Sequence, residues 1–384
     1  MSFSLYLISI LGFYLVLFLG FYFNFYIQIF IHNFLLQNGY EKIYKLISCS
    51  FVSLVLKMSD NNNIKQRVYS LSYGIPDELI LEKCPKKTRF LAPYLPGAAY
   101  AFGPGQEEEY YQMYRDSMFA MTQKKGGWDC LRHYEILANG CIPIFTGLNQ
   151  CPGTTMTSFP KEKVAEACNV LVPWDEGGYE YYVEELLEHT RSKMSCSALG
   201  SFFLEKMSLS VGRPVKRVLL LCGHTGTNYL REMLWIGLCR HLSGAGSGAG
   251  VAVEWPRMDF LYSDFPDSGV GKLYGNGFTY SRRLRAGEEG HVAGAWTEER
   301  IVSSIAAKEW DVVLYGKVGL DEGLAGSAPQ LPYWSLVSSV YGRDEIAFLY
   351  GEDSCKDMTT GNPYCRHLLE HMNLGVCFVR EIRT

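Results

Sequence analysis

Between residues 124 and 145 the chain reads KKGGWDCLRHYEILANGCIPIF, an order of residue types that few folds accommodate. Leu131, Tyr134, Ile136, Leu137 and Ala138 fall roughly on one helical stripe, with Arg132, His133 and Glu135 as the polar positions between them. Asn139 and Gly140 stop that helix, because glycine takes the left-handed conformation wanted after a last turn. Residues 141–145 (CIPIF) then read as a short buried strand with its proline near the start, and 117–122 (SMFAMT) read as another. The unit is strand, glycine-rich loop, helix, strand: one βαβ step of a parallel sheet. Lys124, Lys125, Gly126 and Gly127 therefore stand at the carboxyl end of a strand, just before a helix N-terminus. Free N–H groups and the positive end of the helix dipole favour anions there, and two lysines add full charge. Asp129 is expected at the N-cap, Trp128 over the loop, and Cys130 and Cys141 in the core.

The same alternation organises the rest. A helix is expected over 107–114 with an acidic first turn, another over 161–168, and a long one over 179–194 followed by 197–207. Residues 208–215 (SLSVGRPV) carry the glycine and proline of a domain boundary. A continuous apolar strand follows at 217–222, of the kind buried on both faces of a parallel sheet. Helix at 229–242, strand at 251–255, helix at 297–310, and strands at 311–315, 346–350 and 376–382 continue the pattern. The fold class is thus α/β, with two Rossmann-like lobes at 58–210 and 211–384. Two pieces interrupt it: the flexible SGAGSGAG at 243–250, and a Gly-, Ser- and Arg-rich stretch at 263–295. The second is placed to overhang a cleft; Arg282, Arg283 and Arg285 are either phosphate or acceptor contacts or a solvated basic run.

Ahead of these lobes, residues 1–40 contain no Asp, Glu, Lys or Arg, and residues 3–36 are almost wholly apolar. About 20 such residues suffice to cross a membrane, so 1–57 read as a single-pass anchor and stem. Lys42, Lys45 and Lys57 after the span favour a cytoplasmic lobe, opposite to a Golgi- or ER-type anchor, and no Asn-x-Ser/Thr sequon is present. A start at Met58 would instead leave a cytoplasmic protein. The net charge of −4 gives no basic excess for nucleic-acid binding. Twelve cysteines without a C-x-x-C pattern argue against a zinc ribbon, and Cys355, Cys365, His367 and His371 match no standard metal spacing. No metal site is expected.

Glu135-x-x-Ala138-x-Gly140-x-x-Pro143 resembles the donor-site signature of GT-B glycosyltransferases. The fuller GWDCLRHYEILANGCIPIF is similar to exostosin-related and algal or large-virus glycosyltransferases, a likeness running from about residue 69 to about residue 380. The resemblance implies a GT-B-like pair of lobes, a UDP- or GDP-sugar donor and a glycan or glycoconjugate acceptor. Glu135 would hold the ribose, within a donor set of Lys124, Lys125, Gly126, Gly127, Arg132 and Gly140. In that family the donor lobe ordinarily comes second. Here it comes first, so either the lobes are permuted or 215–384 serves another neighbour in a longer enzyme.

Ligands in open α/β sheets gather at strand carboxyl ends, which directs attention to the loops after 122, 145, 222, 255, 315 and 350. His224 and Asp353 in two of them are the candidate catalytic bases, each set against an ordinary polar loop. The chain has no Asp-x-Asp, so basic side chains and a helix N-terminus would neutralise the leaving diphosphate without a metal. The competing readings are a non-catalytic α/β nucleotide- or sugar-binding or scaffold protein, and a nucleotide-linked oxidoreductase, which the missing G-x-G-x-x-G disfavours.

Overall fold

The computed structural model describes residues 67–97, 101–170, 176–223, 226–242, 250–286, 296–316, 318, 331–353, 356–357 and 363–383. All belong to one compact unit. The expected anchor at 3–36 lies outside the described residues, as does His224. No helix among the described residues is long and apolar enough to cross a membrane.

The fold is α/β with two parallel sheets. The smaller has three strands in the order β2 (Arg89–Leu91), β3 (Ser117–Gln123), β4 (Ile142–Thr146). Helix α1 (Glu107–Asp116) precedes β3, with Glu107, Glu108 and Glu109 against the positive end of its dipole. Helix α2 (Leu131–Ala138) makes the crossover from β3 to β4, as the sequence pattern predicts. Helices α3 (Lys161–Val170) and α4 (Glu176–His189) follow, and α4 runs into a π-helical turn at Thr190–Met194.

Helix α5 (Cys196–Val211) leads to the larger sheet. Ser195 caps it by accepting a bond from the Ala198 N–H, and Gly212, at φ 82°, closes it in the left-handed conformation that a side chain would strain. The larger sheet contains β1 (Val68–Ser70), β5 (Arg217–Leu221), β6 (Val251–Trp255), β7 (Val312–Tyr315), β8 (Ile346–Tyr350) and β10 (Val376–Val379), with the short β9 (Lys356–Asp357) and β11 (Ile382–Arg383) paired separately. Its order is β1-β10-β8-β7-β5-β6. From β5 the chain passes through α6 (Tyr229–Leu242) to β6, then recrosses β5 to reach β7. It continues outward through α7 (Glu298–Ala306) before β7, α8 (Trp334–Val340) before β8 and α9 (Pro363–Leu374) before β10. This reversal makes the sheet doubly wound.

One strand is not where sequence order suggests. Val68–Ser70, ahead of the smaller sheet in the chain, pairs with β10 at the edge of the larger one, through Val68 beside Cys377 and Ser70 beside Val379. A three-residue segment has no periodicity to declare its partner. One apolar core, from Met118 and Ile142 through Phe203 and Trp235 to Leu314 and Phe378, runs through both sheets, and a smaller cluster around Tyr110, Tyr114, Ile136 and Phe278 lies apart from it.

Candidate functional site

Strand β3 ends at Gln123, and the loop after it leaves Lys124, Lys125 and Gly126 exposed and Gly127 buried. The Lys125 N–H donates to the Gly127 carbonyl at 3.0 Å, which curls the loop back on itself. Trp128 lies beneath, its ring 6.4 Å from that of Phe145, with the Lys124 ammonium 5.4 Å from its face.

Helix α2 corrects the expected amphipathic pattern, because every residue from Leu131 to Ala138 is buried. Its polar side chains find partners inside. His133 donates from Nε2 to the Trp128 carbonyl at 3.1 Å and accepts at Nδ1 from the Thr122 hydroxyl at 2.9 Å. Burial pushes its imidazole down to about 3, so it ties helix to loop as a neutral ring. Arg132 lies 4.5 Å over the ring of Tyr94. Glu135 accepts from the Tyr110 hydroxyl at 2.6 Å and is hydrogen-bonded to the Thr279 hydroxyl, and burial raises its carboxyl above the ordinary range. Neither forms the exposed pair that a solvent-facing stripe would have given.

Asp129 does not cap α2. The N-cap is Cys130, which makes no side-chain capping bond, while Asp129 is buried and accepts from the Tyr73 N–H at 2.8 Å and the Tyr134 hydroxyl at 2.7 Å. Gly140 stands at the far end of α2, about 12 Å of helix from the loop. At φ +61° it presses on Pro85, where a Cβ would come within 2.6 Å, so its place is that of a turn.

The carboxyl ends of β8 and β10 meet this loop. A Cβ on Gly126 would stand 2.3 Å from the Asp353 carboxylate, and one on Gly127 would stand 2.4 Å from that of Glu381. A side chain at either glycine would have to push a carboxylate aside, the exposed one of Asp353 or the buried one of Glu381. Between the two carboxylates lies the fully buried Arg380. It donates to Asp353 at 2.5 Å, to the Gly351 carbonyl at 3.1 Å and to the Asp129 carbonyl, with its guanidinium 4.6 Å from the Tyr73 ring. Glu381 accepts the Asp129 N–H at 2.7 Å, and burial lifts its carboxyl to about 7 against the opposing pull of Arg380. Asn228, after β5, abuts Gly351. Asp353 thus stands beside Lys124–Gly127, its side chain 58% exposed despite the ion pair. Within 376–382, which reads as one apolar strand, Arg380 and Glu381 are not singled out. The adjacent opposite charges straight after VCFV were the available signal.

Elsewhere, an open hollow of about 560 Å³ lined by Val302, Leu331 and residues 333–336 contains none of these groups. No cluster of three or more His, Cys, Asp or Glu suited to a metal occurs among the described residues. His371 is buried and bonded through Nδ1 to the Tyr350 hydroxyl. No family model matches the chain, and neither a curated protein nor a solved structure is significantly similar to it.

Proposed function

We propose that the chain is a glycosyltransferase that moves a sugar from a UDP- or GDP-sugar to a hydroxyl of a glycan or glycoconjugate. The observation that carries this reading is the exposed Lys124–Lys125 pair at the carboxyl end of β3, followed by two glycines and a helix start, with the exposed Asp353 carboxylate beside it. The acceptor oxygen attacks the anomeric carbon while the bond from that carbon to the diphosphate oxygen breaks. The two ammonium groups and the loop N–H groups stabilise the departing nucleoside diphosphate, and Asp353 or His224 takes the acceptor proton. Release of free UDP or GDP from UDP-glucose or GDP-mannose, followed on the full chain, tests this. Lys124→Ala should slow release about tenfold, as expected for loss of a charge-assisted contact to the leaving group. An unchanged rate in a folded variant would remove the loop from the reaction.

A second reading, a nucleotide- or sugar-binding protein without catalysis, is favoured by one feature. Asp353 already accepts the Arg380 guanidinium, so one of its oxygens is engaged and not free to take an acceptor proton. Binding without turnover would identify this case.

A further inference from the structure

The stretch between β6 and α7 passes over helix α2 in an unusual conformation. Asn276, Thr279 and Arg282 have φ of 57°, 72° and 58°, three of the six non-glycine residues with positive φ among those described. For a β-branched threonine this is a costly backbone state, held only if its surroundings impose it. Two carboxylates impose it. Glu107 of α1 accepts the Thr279 N–H at 2.5 Å and the Arg283 guanidinium, whose Nε also donates to the Thr279 carbonyl at 2.9 Å. Glu135 of α2 meets the Thr279 hydroxyl, and Phe278 anchors the same segment 5.7 Å from the ring of Tyr110.

The contacts among these hydroxyls and carboxylates outnumber the hydroxyl hydrogens. Tyr110 donates to one oxygen of Glu135, leaving the protons of Tyr111 and Thr279 for three contacts: Tyr111 with Glu107 at 2.8 Å, Tyr111 with Thr279 at 2.7 Å, and Thr279 with Glu135. All three are satisfied only when one carboxyl keeps a proton. Glu107 already takes the Arg283 guanidinium and the Thr279 N–H, so the extra proton falls to Glu135, whose carboxyl burial raises above the ordinary range against the lowering bonds from Thr279 and Tyr110, and Glu135 then donates to the Thr279 oxygen. At Thr279 a strained segment meets Glu135 through a single hydroxyl bond, and that bond is one a competing hydroxyl can take.

We propose that residues 274–284 form an autoinhibitory strap, in which the Thr279 hydroxyl occupies on Glu135 the position of a ligand hydroxyl, and that a sugar diol gains Glu135 by displacing it. The proposal rests on the reading of Glu135 as a donor-site residue. The test compares wild type with Thr279→Val, which keeps the shape and removes the hydroxyl. Without ligand, carbodiimide labelling of the Glu135 carboxyl, read by mass spectrometry, should be slow in wild type and about tenfold faster in Thr279→Val, with faster amide exchange across 274–284. With UDP-glucose or GDP-mannose added, the strap amides of wild type should exchange faster, and Thr279→Val should bind about tenfold more tightly. Equal labelling of Glu135 in the two proteins overturns the strap, whether or not a nucleotide binds. So does tight binding that leaves strap exchange and the affinity of Thr279→Val unchanged. Faster labelling in the variant, with no nucleotide bound by either protein, overturns the transferase reading and the autoinhibition with it, leaving Thr279 as a structural cover over Glu135.

Discussion

Glu254 and Glu381 are 2% and 1% exposed, and burial raises their carboxyls to about 8 and about 7. His133 and His371 are buried too, and burial lowers their rings to about 3 and about 4. The two pairs act oppositely on stability. From about pH 4.5 to 6.5 the native state holds extra protons on the glutamates while the unfolded chain holds extra protons on the histidines, and the effects offset. Above about pH 6.5 the unfolded histidines are neutral, so only the glutamates still favour protonation in the native state, and stability falls as pH rises towards 8. Urea unfolding should lose on the order of 2 kcal/mol between pH 6.5 and 8, and Glu254→Gln should flatten most of that slope. Equal midpoints for wild type at the two pH values would show that these carboxyls ionise normally.

Among the elements, α5 and α6 cross at a pair of glycines. A Cβ on Gly237 would fall 1.9 Å from the Cys196 carbonyl oxygen, and one on Gly200 would fall 2.7 Å from the Gly237 backbone. Backbone cannot yield as a side-chain tip can. Gly237→Ala should therefore cost about 3 kcal/mol or more, whereas Gly153→Ala, where a methyl meets nothing within 4 Å, should leave the melting temperature almost unmoved. A Gly237→Ala protein melting with wild type would refute the close crossing. The elements themselves were legible in the sequence, because apolar period and glycine stops are local properties. Tyr229–Leu242, Val251–Trp255 and Ile346–Tyr350 occur with the bounds that their residues predict. What distant chain supplies was not legible. Glu135 is polar in sequence yet buried, because Thr279 is folded over it. Asp129 sits at a capping position yet binds Tyr73, and Val68–Ser70 pairs with a strand three hundred residues away. The loop residues Lys124 to Gly127 and Asp353 could be singled out from sequence; the Arg380–Glu381 pair that joins them carries only a weak mark, since a charged pair ending a strand looks the same whether it faces water or a neighbouring loop.

For the whole molecule, the arrangement that matters is the meeting of two parallel sheets at their carboxyl ends, β3 of the smaller with β8 and β10 of the larger. Exposed lysines stand on one side of that seam and an exposed carboxylate on the other, while Arg380, Asp129 and Glu381 form its buried floor. A cationic loop placed against a carboxylate suits a substrate that brings a diphosphate to one side and a hydroxyl to the other. The most direct test is isothermal calorimetry on the full chain with UDP-, GDP- and CMP-sugars, with and without EDTA, repeated on Lys124→Ala and Glu135→Ala. The account predicts that one UDP- or GDP-sugar binds equally well with the chelator present, and that both substitutions weaken it, by about tenfold for the lysine. A well-folded protein that binds none of them, or binds one with the same affinity in both variants, would contradict it.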